Sequence, residues 1–452
     1  MCDTLCILGD GVTLFAKNSD RPQSEPQTAG LFPARPAAGR RGLRTQYLTM
    51  ADTGAYSTLL SRPTWLWGAE HGINEHRVAI GNEMIFTIDD PRTVEPGLIG
   101  MDLVRLGLER GTTAEGALEV ITTLLADHGQ GGVGDEIHQL SYWSSFLIAD
   151  PASAWILETS GATWAARPVV VGAALSNRLT LQTDWTRASA DVAAGADVDG
   201  WRHPDLPTGF ADVRLAAGRA FVEAASGRGG EPAEGDARAV VGALRDHGGG
   251  PWGGIGGATV GPGAAPATDP PPAAPVPAED SLDGTGWTLC LHAGDTATTT
   301  ASMVTLLPAD PGRPARAWMA LGNPCVSVYV PVPVPPLPVA PAVVGDEDSW
   351  RRFAALGADV GHDRSALATV RAELAPLEEQ LWDEADRLGT DVAAWRAFGL
   401  RATTAVTAAL DRLVVAGLGI WAAGAGAGAG PAGVRQSAPG AGPGGRSAKT
   451  DG

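Results

Sequence analysis

The chain has 452 residues, with 33 basic and 51 acidic side chains and a formal net charge of −18. That balance, with no basic stripe anywhere, excludes a nucleic-acid partner, because phosphate binding needs a cationic face. No apolar run reaches the roughly 18 residues of a membrane span, and the start lacks the charged and apolar regions of a signal peptide, so a soluble cytoplasmic protein with no membrane partner is expected.

Residues Met1-Cys2-Asp3-Thr4-Leu5-Cys6 open the chain. Removal of Met1 would leave Cys2 with a thiol and a free α-amine on one Cα. Their ordinary pKa values, about 8.5 and about 7.7–8.0, let the amine or a water it holds take the thiol proton. Nucleophile and base then come from one residue. Only Met1 need leave, since nothing longer precedes Cys2 in this sequence. The plainer reading of Cys2 is a small apolar residue in a strand. The other cysteines, Cys6, Cys290 and Cys325, are widely scattered. They make neither a disulfide scaffold nor a motif with zinc spacing, so no metal or cofactor is expected.

Residues 4–8 and 12–16 are apolar runs around Gly9-Asp10-Gly11, a hairpin signal. Cys2, Thr4, Cys6 and Leu8 share one face of its first strand. The hairpin returns Lys17-Asn18-Ser19-Asp20-Arg21-Pro22 toward residue 2. Lys17 and Asp20 then flank the thiol, against the commoner reading of a solvated strand end. Asn74 and Asn82 bracket a buried strand at 78–80. Either could donate to an oxyanion, or simply cap its own turn.

Helical spacing covers 98–110. Thr112 and Glu115 supply a capping box for a second helix to His128, with Gly129 ending it. Segments 144–149, 154–159 and 163–171 read as an antiparallel meander. Helices are expected near 211–225 and 237–245, then a Gly/Pro-rich loop at about 247–280. Strands resume at 289–292, 302–307 and 317–321, followed by a Pro/Val-rich extended stretch at 326–344. Helices then lie near 348–356, 365–388 and 392–415. Strands and helices are segregated, which makes the class α+β. His71, His76, His128, His138 and His292 are scattered and read as structural.

Several of these stretches together resemble the secernins. They are Cys2-Asp3-Thr4, Phe15 to Pro22, Gly72-Ile73-Asn74-Glu75-His76, Ala79-Ile80-Gly81-Asn82-Glu83, Gly100 to Gly111, Ser145 to Pro151, Leu157-Glu158-Thr159 and Ser176-Asn177-Arg178-Leu179. Secernins group with the dipeptidase A family of N-terminal nucleophile (Ntn) hydrolases. The resemblance is close over 2–186 and thinner beyond.

The resemblance implies a four-layer αββα sandwich, placed at 2–345; the residue pattern then gives a C-terminal helical segment at 346–421, and the Gly/Ala-rich composition of 422–452 buries too little surface to order, so a disordered tail is expected. It also implies amide hydrolysis through a thioester on Cys2, with peptides as substrates. By similarity to the more distant bile-salt hydrolases and penicillin V acylases, Asp20 would contact the α-amine and Asn177 would hold the nucleophile region or the oxyanion. Asn82 would be the oxyanion donor, with Asn74 as alternative. Those relatives carry Arg where this chain has Lys17, and their second Arg finds no counterpart in the sequence. A dipeptidase is the first expectation. An acylase of non-peptide linear amides, or a non-catalytic interaction protein of the same fold, is the alternative. Homo-oligomerisation is left open.

Overall fold

Alternation along the strands decides the layering. In Cys2–Leu8, Leu5 and Ile7 face one way and Cys6 the other; in Val12–Arg21, Leu14 and Ala16 oppose Phe15. The computed structural model describes residues 1–205, 209–227, 234–248, 287–293, 297–334, 345–361 and 363–419. Apart from residues 247 and 248, the expected 247–280 loop and the 422–452 tail lie outside the described residues. Among the described residues, one antiparallel sheet runs in the order Gly172–Leu175, Cys2–Leu8, Val12–Arg21, Thr298–Pro308, Arg316–Leu321, Val330–Pro333. A second runs Arg187–Ala188, Thr163–Pro168, Ala154–Ser160, Trp143–Ala149, Ala79–Ile85, His71–Asn74, Thr58–Pro63, Gln27–Phe32, also antiparallel.

The inner faces meet through Cys6, Phe15, Ile73, Ile85, Trp143, Leu147, Ile156, Met303 and Met319. Helices α1 (Gly100–Arg110) and α2 (Ala114–His128) cover the second sheet, packing Leu103, Leu106, Leu118 and Ile121 on Leu60, Ile80, Phe146 and Leu157. Helices α3 (Gly209–Ser226) and α4 (Glu234–Leu244) cover the first, packing Leu215, Val222, Val240 and Leu244 on Leu5, Leu14 and Val304. The result is the four-layer αββα sandwich of an α+β protein. Helices α5 (Glu347–Val360), α6 (Arg364–Ala385) and α7 (Val392–Val415) build a further core with Leu321, Cys325 and Val330. Among the described residues, no helix is long and apolar enough to cross a membrane.

Of the two readings of residues 17–21, the solvated strand end falls: all of Val12–Arg21 is buried, because the strand continues between two neighbours. Three local expectations need correction. The cap of α2 is Thr113, whose hydroxyl accepts from Gly116 N at 3.0 Å, rather than Thr112. Asn82 lies within the strand Ala79–Ile85 instead of beyond it. Residues 289–292 form no strand and keep only one bridge, His292 to Thr298, because Asn18 and Thr299 occupy the backbone groups of Leu289 and Leu291.

Asp102, in the first turn of α1, is fully buried and accepts from Ile99 N at 3.4 Å. Burial pushes its carboxyl up to about 7, against about 4 in an unfolded chain. The native state therefore keeps this proton longer. The stability it affects is greatest below about pH 4, falls as pH rises to about 7, and is level above that. Asp102→Asn should remove this fall. The urea-midpoint difference, variant minus wild type, is expected to be more positive at about pH 8 than at about pH 4.5, by an amount on the order of 3 kcal/mol in stability.

Candidate active site

The hairpin register sets Cys2 opposite Ser19 and Asp3 opposite Asn18, while the next strand sets Thr299 opposite Asp20. Cys2 and Asp20 thus reach the same end of the first sheet. The sequence segment after Gly172–Leu175 brings Asn177 there too. Asn177 Oδ1 accepts from Cys2 N at 2.9 Å, and its Nδ2 donates to Met84 O at 2.8 Å. With its oxygen on Cys2 N and one N–H on Met84 O, this amide holds the Cys2 backbone in place. The loop behind it is pinned by Glu158, which accepts from Thr180 N at 2.5 Å and Thr180 Oγ1 at 2.8 Å.

Arg214 ties these parts together. It lies on α3 beside the apolar stripe Ala211, Leu215, Gly218 and Val222, and is 0% exposed. Its Nη1 donates to Asp3 Oδ2 at 2.7 Å, to Asp20 Oδ2 at 3.3 Å and to Cys2 O at 3.3 Å; its Nη2 donates to Asn177 Oδ1 at 2.6 Å. Asp20 Oδ1 also accepts from Thr299 Oγ1 at 2.7 Å. Burial pushes the Asp20 carboxyl up, opposed by the Arg214 charge. Sequence reasoning missed Arg214. Its one signal was a cation on the apolar face of a predicted helix.

On the inner face, Lys17 Nζ donates to Asn82 O at 2.5 Å and lies 3.6 Å from Glu83 Oε1. Glu83 also accepts from Thr4 Oγ1. Burial works against the Lys17 charge, but Cys2, Glu83 and Glu70 outweigh it and hold its pKa above the ordinary value. Gly81 makes room for this side chain: a Cβ there would come within 2.5 Å of Lys17 Cδ.

The thiol is the donor to Glu70 Oε2 at 3.6 Å. Glu70 is steadied by Arg21, whose five N–H donors go to Glu25, Glu70, Tyr142 and Gly134 O. Neither Glu70 nor Arg21 was singled out in the sequence, since both sat inside longer motifs. With Met1 in place, burial raises the Cys2 pKa, Lys17 lowers it and Glu70 raises it.

A cavity of about 330 Å³ opens over this group. Cys2, Asp20, Arg21, Glu70 and Asn82 line it with Met1. Met84, Phe86, Leu140, Phe210 and Trp287 form its apolar wall, and Asp135, His138 and Tyr142 complete it. The Asn82 Nδ2 makes only long contacts, 3.6 Å to Met101 Sδ and 3.5 Å to Ser144 Oγ. Asn74 does not join the site. Its Nδ2 donates to Leu108 O and Gly111 O and its Oδ1 accepts from His76 N and Val78 N, so it is spent on a turn and the end of α1.

Of the side chains that could hold a metal, the described residues gather His247, Cys290, His292 and Cys325, with ligand atoms all within 4.8 Å of one another. The sequence spacing had not announced this grouping, because its members come from three distant segments.

No protein-family model matches the chain. Among solved structures it is similar to a conjugated bile acid hydrolase from Clostridium perfringens, at 10% identity and TM-score 0.39, over 71% of this chain and 89% of that one. It is also similar to a penicillin V acylase from Agrobacterium tumefaciens, at 12% identity and TM-score 0.35, over 74% of this chain and 87% of that one.

Arg214→Ala leaves Asp3 and Asp20 buried without their countercharge. It should cost roughly 3–5 kcal/mol in urea denaturation. Arg214→Lys should recover part of this, since it keeps the charge but not the fork that reaches Asn177.

Proposed function

We propose that the protein is an amidohydrolase whose nucleophile is Cys2, made N-terminal by loss of Met1, and that it acts on peptides with a free N-terminus, as a dipeptidase of the secernin kind among Ntn hydrolases. One observation carries the reading. The nitrogen and sulfur of Cys2 are held separately in one cavity, the nitrogen on Asn177 and the sulfur beside Glu70 and the Lys17 charge.

Met1 lines that cavity, its ammonium donating to Asp20 O at 2.7 Å. Its departure widens the space and converts Cys2 N into an α-amine still facing Asn177 Oδ1. The buried network sets Lys17, Arg21 and Arg214 against Asp3, Asp20, Glu25, Glu70 and Glu83. Its excess of carboxylates favours a cation at that nitrogen. In the proposed mechanism the amine takes the thiol proton, and the Lys17 charge offsets the neighbouring carboxylates to hold the thiolate of the resulting pair. The thiolate attacks the amide carbonyl, and Asn82 Nδ2 takes the developing oxyanion. The ammonium gives its proton to the leaving nitrogen as the C–N bond breaks. The freed amine then accepts a proton from the water that cleaves the thioester.

The peptide reading draws on Glu70. In a dipeptide the α-nitrogen is one carbon from the attacked carbonyl, so an acceptor beside the nucleophile is where an ammonium would be met. The apolar wall fits the N-terminal side chain. The acylase reading draws on the same wall and on Arg21, whose donors are all taken, so it offers no clamp to a substrate carboxylate. A panel of apolar dipeptides, their N-acetylated forms and linear N-acyl amides decides between them. Turnover of the free dipeptides with rejection of the acetylated forms supports the dipeptidase; the reverse order selects the acylase.

Intact mass of the active protein is expected to begin at Cys2, with one alkylation at that residue abolishing turnover. Active protein that retains Met1 would overturn the mechanism. Asn82→Ala should lower kcat by about 10²–10³ and leave KM nearly unchanged, as loss of a single oxyanion donor does.

A further inference from the structure

We propose that His247, Cys290, His292 and Cys325 form a closed, four-ligand site for one zinc ion, separate from the Cys2 cavity. Three distances carry the geometry. His247 Nε2 and His292 Nε2 are 3.3 Å apart, and Cys290 Sγ and Cys325 Sγ each lie 3.4 Å from His292 Nε2. A tetrahedral zinc with its usual bond lengths spaces two nitrogens by about 3.3 Å and a nitrogen and a sulfur by about 3.6 Å. The remaining separations stay within 4.8 Å, so one ion can reach all four atoms.

The donor set selects the metal. Two thiolates and two imidazoles at tetrahedral spacing suit zinc, and four protein ligands leave no open position for catalysis. Binding replaces two thiol protons, released to solvent, with a dication. The charge of the assembled site is then zero, as suits a place where His247, Cys290 and Cys325 are all buried.

The site also has something to hold. His247 follows α4, Cys290 and His292 precede the strand Thr298–Pro308, and Cys325 lies in the turn Pro324–Val326 after the strand Arg316–Leu321. One ion would join these segments and close the chain between residues 247 and 290. Between two ligands, Leu291 N donates to Thr299 Oγ1 at 2.9 Å and Leu291 O accepts from Thr299 N at 3.1 Å. Thr299 in turn donates to Asp20. Trp287, on the apolar wall of the cavity, lies three residues before Cys290. The metal therefore positions the back of the active site without touching substrate.

The test is metal analysis of the full chain purified under reducing conditions. About one zinc per chain is expected, and the same content in Cys2→Ser, which separates this site from the catalytic reading. Cys325→Ser and His292→Gln should each fall to background. Cobalt(II) added to the zinc-free wild type should give the visible bands of a tetrahedral thiolate complex, a readout that does not depend on any variant folding. Chelator-treated protein should melt at a lower temperature, recovered on adding zinc. Background zinc with no cobalt bands in the wild type would overturn the proposal. So would a Cys290–Cys325 disulfide in mass spectra of the freshly purified, unreduced chain.

Discussion

A single guanidinium, buried without any solvent contact, organises the end of the first sheet that carries Cys2. Arg214 reaches the Cys2 carbonyl, the carboxylates of Asp3 and Asp20 and the Asn177 amide at once. A charge in such a place costs several kcal/mol of desolvation unless its partners are arranged around it. The two strands of the first hairpin, the turn at Asn177 and α3 must therefore meet in one arrangement. A planar, five-donor group does this better than an ammonium would.

Much of the framework was legible in the sequence because it rests on local rules. Gly9-Asp10-Gly11 marked the hairpin, and the spacing of Leu98, Met101, Val104 and Leu108 marked α1. The meander before Asn177 followed from alternation and turn residues. The C-terminal helices from Glu347 onward were visible for the same reason. The proximity of Cys2, Lys17 and Asp20 followed from hairpin geometry alone. What escaped was long-range. Arg214 looked like any helical arginine until α3 was seen lying on the first sheet. Glu70 and Arg21 become significant only when the two sheets face each other. The grouping of His247, Cys290, His292 and Cys325 depends on three segments whose approach no spacing rule encodes.

Burial decides between the two readings of the polar residues at 17–21. A run of Lys, Asn, Ser, Asp and Arg suggests a wet strand end, yet this strand lies between two others and under a helical layer. The charged and amide side chains find donors or acceptors there: Lys17 to Asn82 O and Glu83, Asn18 Nδ2 to Leu244 O and Leu289 O, Asp20 to Arg214 and Thr299, Arg21 to Glu25 and Glu70. Unmatched, any one of them would destabilise the core by more than a typical point mutation. A polar cluster with this many internal partners is a specificity device for the sandwich as well as a chemical one.

The topology of the first sheet has a consequence for maturation. Asp20, which clamps Met1 through both its backbone N–H and its carbonyl, accepts at its side chain from Thr299, 279 residues further along. The contact is therefore long-range, and the setting of Cys2 is completed late. At ribosomal speeds of about 5–20 residues per second, the N-terminus waits for this partner for roughly tens of seconds. Removal of Met1, on which the proposed mechanism rests, would find the residue loose in that interval. A chain that closed first would hold the same residue in a two-point grip, so the proposed exposure of Cys2 depends on the order of synthesis, processing and folding.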